Sequence, residues 1–284
     1  MRVIEKTAEI SACSRALHLR GETIGLVPTM GFLHDGHLSL IRESKRITGQ
    51  TAVSIFVNAA QFGPKEDYHR YPRDIEGDAK KCRETGADLL FLPSAEDIYP
   101  EGHRTYVDVE GLSDKLCGRS RSKHFRGVAT IATKLFNIIR PDKAFFGQKD
   151  YQQAMIIKRL ATDLNLGVDI IVMPTVREAD GLAMSSRNSY LNGNERDTAR
   201  ILYRSLMLAE DMIRSGEMSS GEVRAKMEVL IASEGSAKIE YISICDPGNL
   251  EDIDMIAGDV LVAIAVWIGK TRLIDNIIVK GHKR

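Results

Sequence analysis

Short apolar runs, several of them rich in β-branched residues, alternate along the chain with stretches whose apolar residues recur every three or four positions. That alternation restricts the fold more than any other feature. Residues 23–27, 51–57, 87–92, 143–146 and 168–173 read as strands, the first, second and last of them buried, separated by stretches that read as amphipathic helices near 40–47, 75–84, 128–139 and 154–164. Neighbouring strands joined through helices make a parallel sheet, because a parallel pair needs a crossover long enough to hold a helix. Residues 1–175 are therefore expected to form an α/β domain. Beyond Asn188 the order changes to helices near 194–215 and 219–232 and then strands near 239–245, 260–267 and 272–279, so residues 176–284 read as a smaller C-terminal α+β domain. Residues 105–109 alternate as a more exposed strand, and Pro28, Pro93 and Pro141 read as punctuation after strand or helix.

The stretch Pro28-Thr-Met-Gly-Phe-Leu-His34-Asp-Gly-His37 joins the first of these strands to a helix whose Leu40, Ile41 and Ile47 share one face. The first turn of a helix leaves backbone N–H groups unpaired and carries the positive end of the helix dipole, so it favours an anion, and phosphate is the obvious one. Gly31 and Gly36 would let backbone approach a ligand or take positive φ, and His34 and His37 can each donate to phosphate oxygens. Two histidines three apart could also ligate zinc, but no third ligand at a recognisable spacing completes the set. A glycine-rich turn with two incidental histidines is the plain alternative.

Other segments supply matching groups. Asn58 and Gln61 follow the second strand, where substrate-reading amides belong, although loop capping is a rival role. The run Arg119-Ser-Arg121-Ser-Lys123-His124-Phe-Arg126 is basic, and most such runs are solvated faces. Gly147-Gln148-Lys149-Asp150 repeats the first arrangement of strand, glycine and helix start, with Gln153 four residues after Lys149. A surface lysine is the ordinary alternative. Residues 174–188 form a long loop in which Ser185, Ser186 and Arg187 would suit a mobile clamp on polyphosphate. A serine nucleophile would need a Gly-x-Ser-x-Gly elbow, which Met184-Ser-Ser-Arg187 is not.

Composition excludes several classes of partner. Lys plus Arg and Asp plus Glu are 39 each in 284 residues, so no global positive field exists to hold nucleic acid or an anionic membrane. The N-terminal residues lack a signal-peptide pattern and no uncharged apolar run could span a bilayer, so a cytoplasmic location is expected. Cys13, Cys82, Cys117 and Cys245 lie too far apart for a CxxC or zinc-ribbon pattern and read as packing thiols.

Taken together, the 28–37 stretch, Phe56-Val-Asn-Ala-Ala-Gln-Phe-Gly63, His124-Phe-Arg-Gly-Val128, Phe146-Gly-Gln-Lys-Asp-Tyr-Gln-Gln153 and Met184-Ser-Ser-Arg-Asn188 resemble the pantothenate synthetase (pantoate–β-alanine ligase) family in order and spacing. That family is similar to nucleotidyltransferases, which pair a His-x-Gly-His-like loop with a Met-Ser-like loop. The resemblance implies a Rossmann-like nucleotide-binding domain with a C-terminal lid that closes over ATP, and ATP-dependent condensation of pantoate with β-alanine, assisted by Mg²⁺. It also implies a homodimer through the larger domain. ATP contacts fall by resemblance on Met30, Gly31, Phe32, Leu33, His34, Asp35, Gly36 and His37, on Gly147, Gln148, Lys149 and Asp150, on Val176, and on Met184, Ser185, Ser186 and Arg187. His34 and His37 would act on the phosphoryl group, with His37 as proton donor, and Lys149 on the phosphate chain. Gln61 and Gln153 match pantoate-binding positions, Gln61 also β-alanine, with Asn58 and Arg121 as further carry-overs. Two positions depart from the family pattern: Ala59 stands where proline is usual, which should loosen the loop carrying Gln61, and Gln148 where glutamate is usual.

Overall fold

The computed structural model describes residues 1–64 and 66–281. In chain order the elements are β1 (Arg2–Ile4), α1 (Thr7–Leu19), β2 (Ile24–Thr29), α2 (Asp35–Ile47), β3 (Gln50–Ile55), α3 (Ile75–Thr85), β4 (Leu89–Phe91), α4 (Ala95–Ile98), α5 (Cys117–Ser120), α6 (His124–Ile139) and β5 (Lys143–Gly147). They continue with α7 (Tyr151–Asp163), β6 (Asp169–Met173), α8 (Gly193–Ala199), α9 (Ile201–Arg214), α10 (Ser220–Ala232), β7 (Ala237–Cys245), β8 (Val260–Ile268) and β9 (Thr271–Val279). The chain divides into two compact units: Met1–Ser113, Arg121–Gln148 and Gln153–Pro174 make the first, and Asp114–Ser120, Lys149–Gln152 and Thr175–Arg284 the second.

The first unit is a six-stranded, all-parallel sheet in the order β1-β4-β3-β2-β5-β6, the expected α/β architecture. Val27, Val53, Leu90 and Phe145 form one core with Leu40 and Ile41 of α2 and Cys82 of α3. Ile24, Leu26 and Ala52 alternate with them and are also fully buried, so both faces of the sheet are covered, as parallel sheets require. Strand order reverses between β2 and β5, and these two pair only at Gly25–Lys143 and Leu26–Ala144. Their carboxyl-terminal halves are not paired with each other, and ligands of open α/β sheets bind at such a reversal.

The second unit is an antiparallel sheet, β7-β8-β9, on which Leu202, Leu206 and Ile213 of α9 and Val223, Met227 and Ile231 of α10 pack against Val262, Ile264 and Val266. Polar contacts tie the two short outlying segments to it. Gln152 Oε1 accepts from the Cys117 N–H (3.0 Å), Gln152 Nε2 donates to Lys115 O (2.6 Å), and the Tyr151 hydroxyl donates to Pro247 O (3.0 Å). Lys115 pairs with Glu251 and Arg119 with Asp252. Cys117 does more than pack: its Sγ lies 3.2 Å from the Tyr241 hydroxyl and 3.4 Å from Arg272 Nη2.

Several local expectations are corrected. β2 does not stop at Pro28 but runs through it to Thr29. Ile24 O accepts from Asp142 on the β5 side, whereas Thr23 O and Thr29 O accept from Gln50 and Phe56 on the β3 side. Pro28 therefore faces the β5 side, where pairing has ended, and its missing N–H costs no ladder bond. Residues 105–109 form no strand: the Val107 N–H donates to Thr130 Oγ1 (3.0 Å) and the Val109 N–H to the Asp108 carboxylate (3.1 Å). α6 starts four residues before 128, and the helix expected over 194–215 divides at Arg200, whose N–H bonds three residues back to Asp197 O. Leu164 lies beyond α7 and is exposed, and β6 is an edge strand with Val172 exposed, not a buried one. β1 and α1 carried no strong sequence signal. No helix among the described residues is long and apolar enough to cross a membrane.

Candidate active site

In the first unit, β2 brings the chain to the carboxyl edge of the sheet and α2 begins at Asp35, so a loop does lead into a helix N-terminus. The loop is held from several sides. Thr29 Oγ1 donates to Ser54 O (2.9 Å) and accepts from the Gly31 N–H (3.2 Å). Gly31 (φ 86°) and Phe32 (φ 52°) are both left-handed, which for a residue with a Cβ costs roughly 1–2 kcal/mol. A buried carboxylate on α3 offsets that cost. Asp78 Oδ2 accepts from the Phe32 N–H (2.6 Å) and Oδ1 from the Leu33 N–H (2.7 Å), while Lys81 Nζ donates to Leu33 O (2.7 Å). Burial pushes the Asp78 carboxyl above its ordinary pKa, with the Leu33 and Phe32 N–H groups pulling the other way.

Gly36 has no positive φ; it is the second residue of α2, and of the two glycines only Gly31 needs its conformational freedom. His34 is the N-cap and His37 the third helical residue, with ring centroids 4.1 Å apart. The His34 N–H donates to His37 Nδ1 (3.4 Å), so the proton of a neutral His37 sits on Nε2. A hydrogen-bond donor at the mouth of a helix dipole is thus built by the backbone itself.

Gln61 ends a 3-10 turn, Ala59–Gln61, which forms without a proline at 59. Asn58 holds it: its Nδ2 donates to Gln61 Oε1 (3.1 Å) and Gly127 O (3.0 Å), and its Oδ1 accepts from the Tyr99 hydroxyl (2.9 Å). At 1% exposure, Asn58 spends its amide inside the unit as a support for Gln61. Gln61 Nε2 lies 3.1 Å from Met30 Sδ, so the amide and the histidine loop come together. α6 approaches this turn so closely that a Cβ at Gly127 would lie 2.4 Å from Ala60 O.

Arg121 forks onto Glu66 at 2.8 and 2.6 Å, and its Nη1 meets His124 Nε2 at 2.9 Å. Arginine can only donate, so His124 Nδ1–H donates in turn to Gln61 O (2.8 Å), which makes Arg121 and His124 a brace behind Gln61. Burial raises the pKa of Glu66, but the Arg121 hydrogen bonds and charge bring it below the ordinary value. A cleft of about 220 Å³ beside the loop is lined by Met30, Gly31, Phe56, Tyr68, Arg73 and Asp78 among others. Gly147 and Gln148 belong to this unit, as does Gln153 in the first turn of α7.

In the second unit, Lys149 lies in a 3-10 turn, Gln148–Asp150, ahead of α7, so the four-residue helical relation to Gln153 does not hold. Lys149 Nζ is 3.8 Å from Asp150 Oδ1, and Lys149 O accepts from Asn276 Nδ2 at 2.9 Å. The long loop expected over 174–188 is a tight hairpin followed by a 3-10 turn. The Met184 N–H donates to Val176 O (3.0 Å), Arg177 bridges Ala183, and the Ser185 hydroxyl caps the Ser186–Tyr190 turn by accepting from the Arg187 N–H (3.3 Å). Asn188 Nδ2 donates to Ala183 O (3.1 Å) and Glu178 Oε1 (2.9 Å), which pins the turn to the hairpin.

Sequence reasoning missed Asp78, Lys81, Arg177, Asp275 and Asn276. The usable signal for Asp78 was a carboxylate four residues before Cys82 on the buried side of α3; for Asp275 it was an acid at the alternate positions of β9 that Leu273 and Val279 share. Among the described residues no group of three His, Cys, Asp or Glu could hold a metal ion.

Comparison with known proteins covers the whole length of this arrangement. The family model for pantoate-beta-alanine ligase matches residues 2–278. A pantothenate synthetase of Acetivibrio thermocellus is 52% identical over 280 residues, spanning 99% of this chain and 100% of that protein. The crystal structure of pantothenate synthetase from Thermus thermophilus superposes with a TM-score of 0.92 at 41% identity, covering 98% of this chain and 99% of that one. A pantoate-beta-alanine ligase from Francisella tularensis, complexed with beta-gamma ATP and beta-alanine, superposes with a TM-score of 0.80 at 34% identity, covering 98% and 97%. With one match running through the histidine loop, the glutamine turn, the lysine turn and the serine hairpin alike, the chain belongs to the pantoate-beta-alanine ligase family.

Proposed function

We propose that the protein condenses (R)-pantoate with β-alanine to give pantothenate, AMP and pyrophosphate, through a bound pantoyl adenylate. The observation that carries this reading is the loop of His34 and His37 at the start of α2, held rigid beside the strand-order reversal in a chain matched to the ligase family over residues 2–278. A carboxylate is a poor acylating agent because oxide would have to leave. In the first step a pantoate carboxylate oxygen attacks the α-phosphorus of ATP and pyrophosphate departs. In the second, the β-alanine amine attacks the acyl carbon, AMP departs and the amine loses a proton. Charge grows on the α-phosphoryl oxygens and on pyrophosphate in the first step, so preorganised donors are the main requirement.

His34, His37 and the N–H groups at the start of α2 take the α-phosphoryl group in this reading, with His37 donating from Nε2. Lys149, Ser185, Ser186 and Arg187 take the phosphate chain, and Gln61 and Gln153 read pantoate, Gln61 also meeting β-alanine. Asn58 and Arg121 act behind Gln61. Magnesium, which keeps several waters and needs few carboxylates, would come in with ATP and supply charge neutralisation for its phosphates. Keeping water from the adenylate is assigned to the second unit, as a lid. A cytoplasmic homodimer completes the proposal.

Isotope exchange tests the order of steps. With pantoate and ATP but no β-alanine, labelled pyrophosphate should exchange into ATP, and ¹⁸O from the pantoate carboxylate should appear in AMP on full turnover. An exchange that requires β-alanine, or release of ADP and phosphate, overturns the adenylate route; a stable dinucleotide product points to a nucleotidyltransferase instead.

A further inference from the structure

We propose that Asp275 and Asn276, consecutive residues of β9, are positioning residues that fix the two phosphate-binding elements of the second unit: Asn276 holds the Lys149 turn, and Asp275 holds the 176–184 hairpin that leads into Ser185, Ser186 and Arg187. The inference rests on the assignment of those groups to the phosphate chain of ATP. β9 is an edge strand, yet Asp275 and Asn276 are 2% and 3% exposed, and an acid and an amide buried together at a sheet edge need partners.

Their partners are the two elements in question. Adjacent strand residues point to opposite sides, so one dipeptide can hold two different segments. Asn276 Nδ2 donates to Lys149 O (2.9 Å), fixing the main chain from which the lysine side chain projects. Asp275 takes a fork from Arg177, Nη1 to Oδ2 at 2.6 Å and Nη2 to Oδ1 at 3.1 Å, and Asp275 Oδ1 also accepts from the Asn276 N–H (2.8 Å). Arg177 in turn closes the hairpin, donating to Gly181 O (3.1 Å) while its guanidinium lies 4.4 Å from the centroid of the Tyr203 ring. A buried ion pair adds little net stability over apolar packing, but it defines one geometry. Phosphate ligands need that definition, because misplacement by an ångström can cost catalysis roughly 100-fold.

A double-mutant cycle tests it, read as pantoate-dependent pyrophosphate exchange and, separately, as the reaction of β-alanine with supplied pantoyl adenylate. Asn276→Ala should slow exchange roughly tenfold and raise the KM for ATP, while consumption of supplied adenylate stays within about twofold. In a Lys149→Ala background the same substitution should have almost no further effect, because it acts through that lysine. Asp275→Asn should show the same split between the two reactions but still slow exchange further in the Lys149→Ala background, since it acts mainly through the hairpin, with a part of its effect lost there because its charge also reaches Lys149. If Asn276→Ala does not fold, the uncharged, similarly shaped Asn276→Leu carries the same cycle. Additivity of the Asn276 and Lys149 substitutions, or equal slowing of both reactions, overturns the proposal alone. Absence of exchange in the unmodified protein, or an unchanged rate in Lys149→Ala, removes the functional assignment and this inference with it.

Discussion

At the scale of single residues, the candidate site depends on a carboxylate, Asp78, that holds the histidine loop in place. His34 and His37 were legible because histidine, glycine and a helix start fall together in ten residues. Asp78 was not legible: it sits 46 and 45 positions from the N–H groups it holds, on a helix most of whose polar residues are charged and face water. Asp78→Asn keeps the shape but replaces one acceptor oxygen with a donor facing an N–H, so a buried hydrogen bond to a charged group is lost, worth roughly 1.5–3 kcal/mol. The expected outcome is a folded protein of lower thermal stability whose exchange rate drops roughly 10- to 100-fold through misplacement of the histidine loop. A melting curve paired with the exchange assay checks it, and an unchanged rate in the folded variant would show that the loop keeps its path without Asp78.

At the scale of elements, periodicity located most helices and strands and failed where a side chain supplied the decisive bond. Residues 105–109 alternate like a strand, yet their N–H groups go to Thr130 and Asp108, and no alternation in sequence can show that. The glutamine turn likewise takes its shape from side-chain bonds, because Asn58 closes it onto Gln61 and Gly127. The contact between that turn and α6 makes a sharp test. Gly127→Ala places a Cβ 2.4 Å from Ala60 O and 2.6 Å from the Gln61 N–H nitrogen, so helix and turn must separate. Overpacking of this kind costs about 1–3 kcal/mol. The KM for pantoate should rise well before the KM for ATP does, because Gln61 moves while the phosphate-binding groups stay; equal rises in steady-state measurements would detach Gln61 from pantoate.

At the scale of the whole molecule, each unit has its own apolar core, and the second also carries a half-buried polar knot of Glu240, Arg272, Ser120 and Trp267. Burial raises the Glu240 carboxyl, but hydrogen bonds from Arg272, Ser120 and Trp267 outweigh it and bring the pKa from 4.5 to about 2. A carboxylate depressed by folding contributes stability above its unfolded pKa and loses it as pH falls through the folded one. The melting temperature should therefore decline between about pH 4.5 and 2, and the gap between the unmodified protein and Glu240→Gln should be widest above 4.5 and close toward 2. A gap independent of pH would mean that Glu240 contributes shape alone. Sequence by itself determined the parallel α/β class, the three later strands and the loop that carries His34 and His37 into a helix start, because strand and helix periods and turn chemistry act over a few neighbouring residues. Only the tertiary structure decided that β5 lies beside β2, that Lys149 groups with the second unit and Gln153 with the first, and that Asp78, Asp275 and Asn276 stand behind the site. The reason is physical: a buried polar group takes whichever partner lies within about 3 Å, and partners 46, 98 and 127 residues away leave no period in the chain to read.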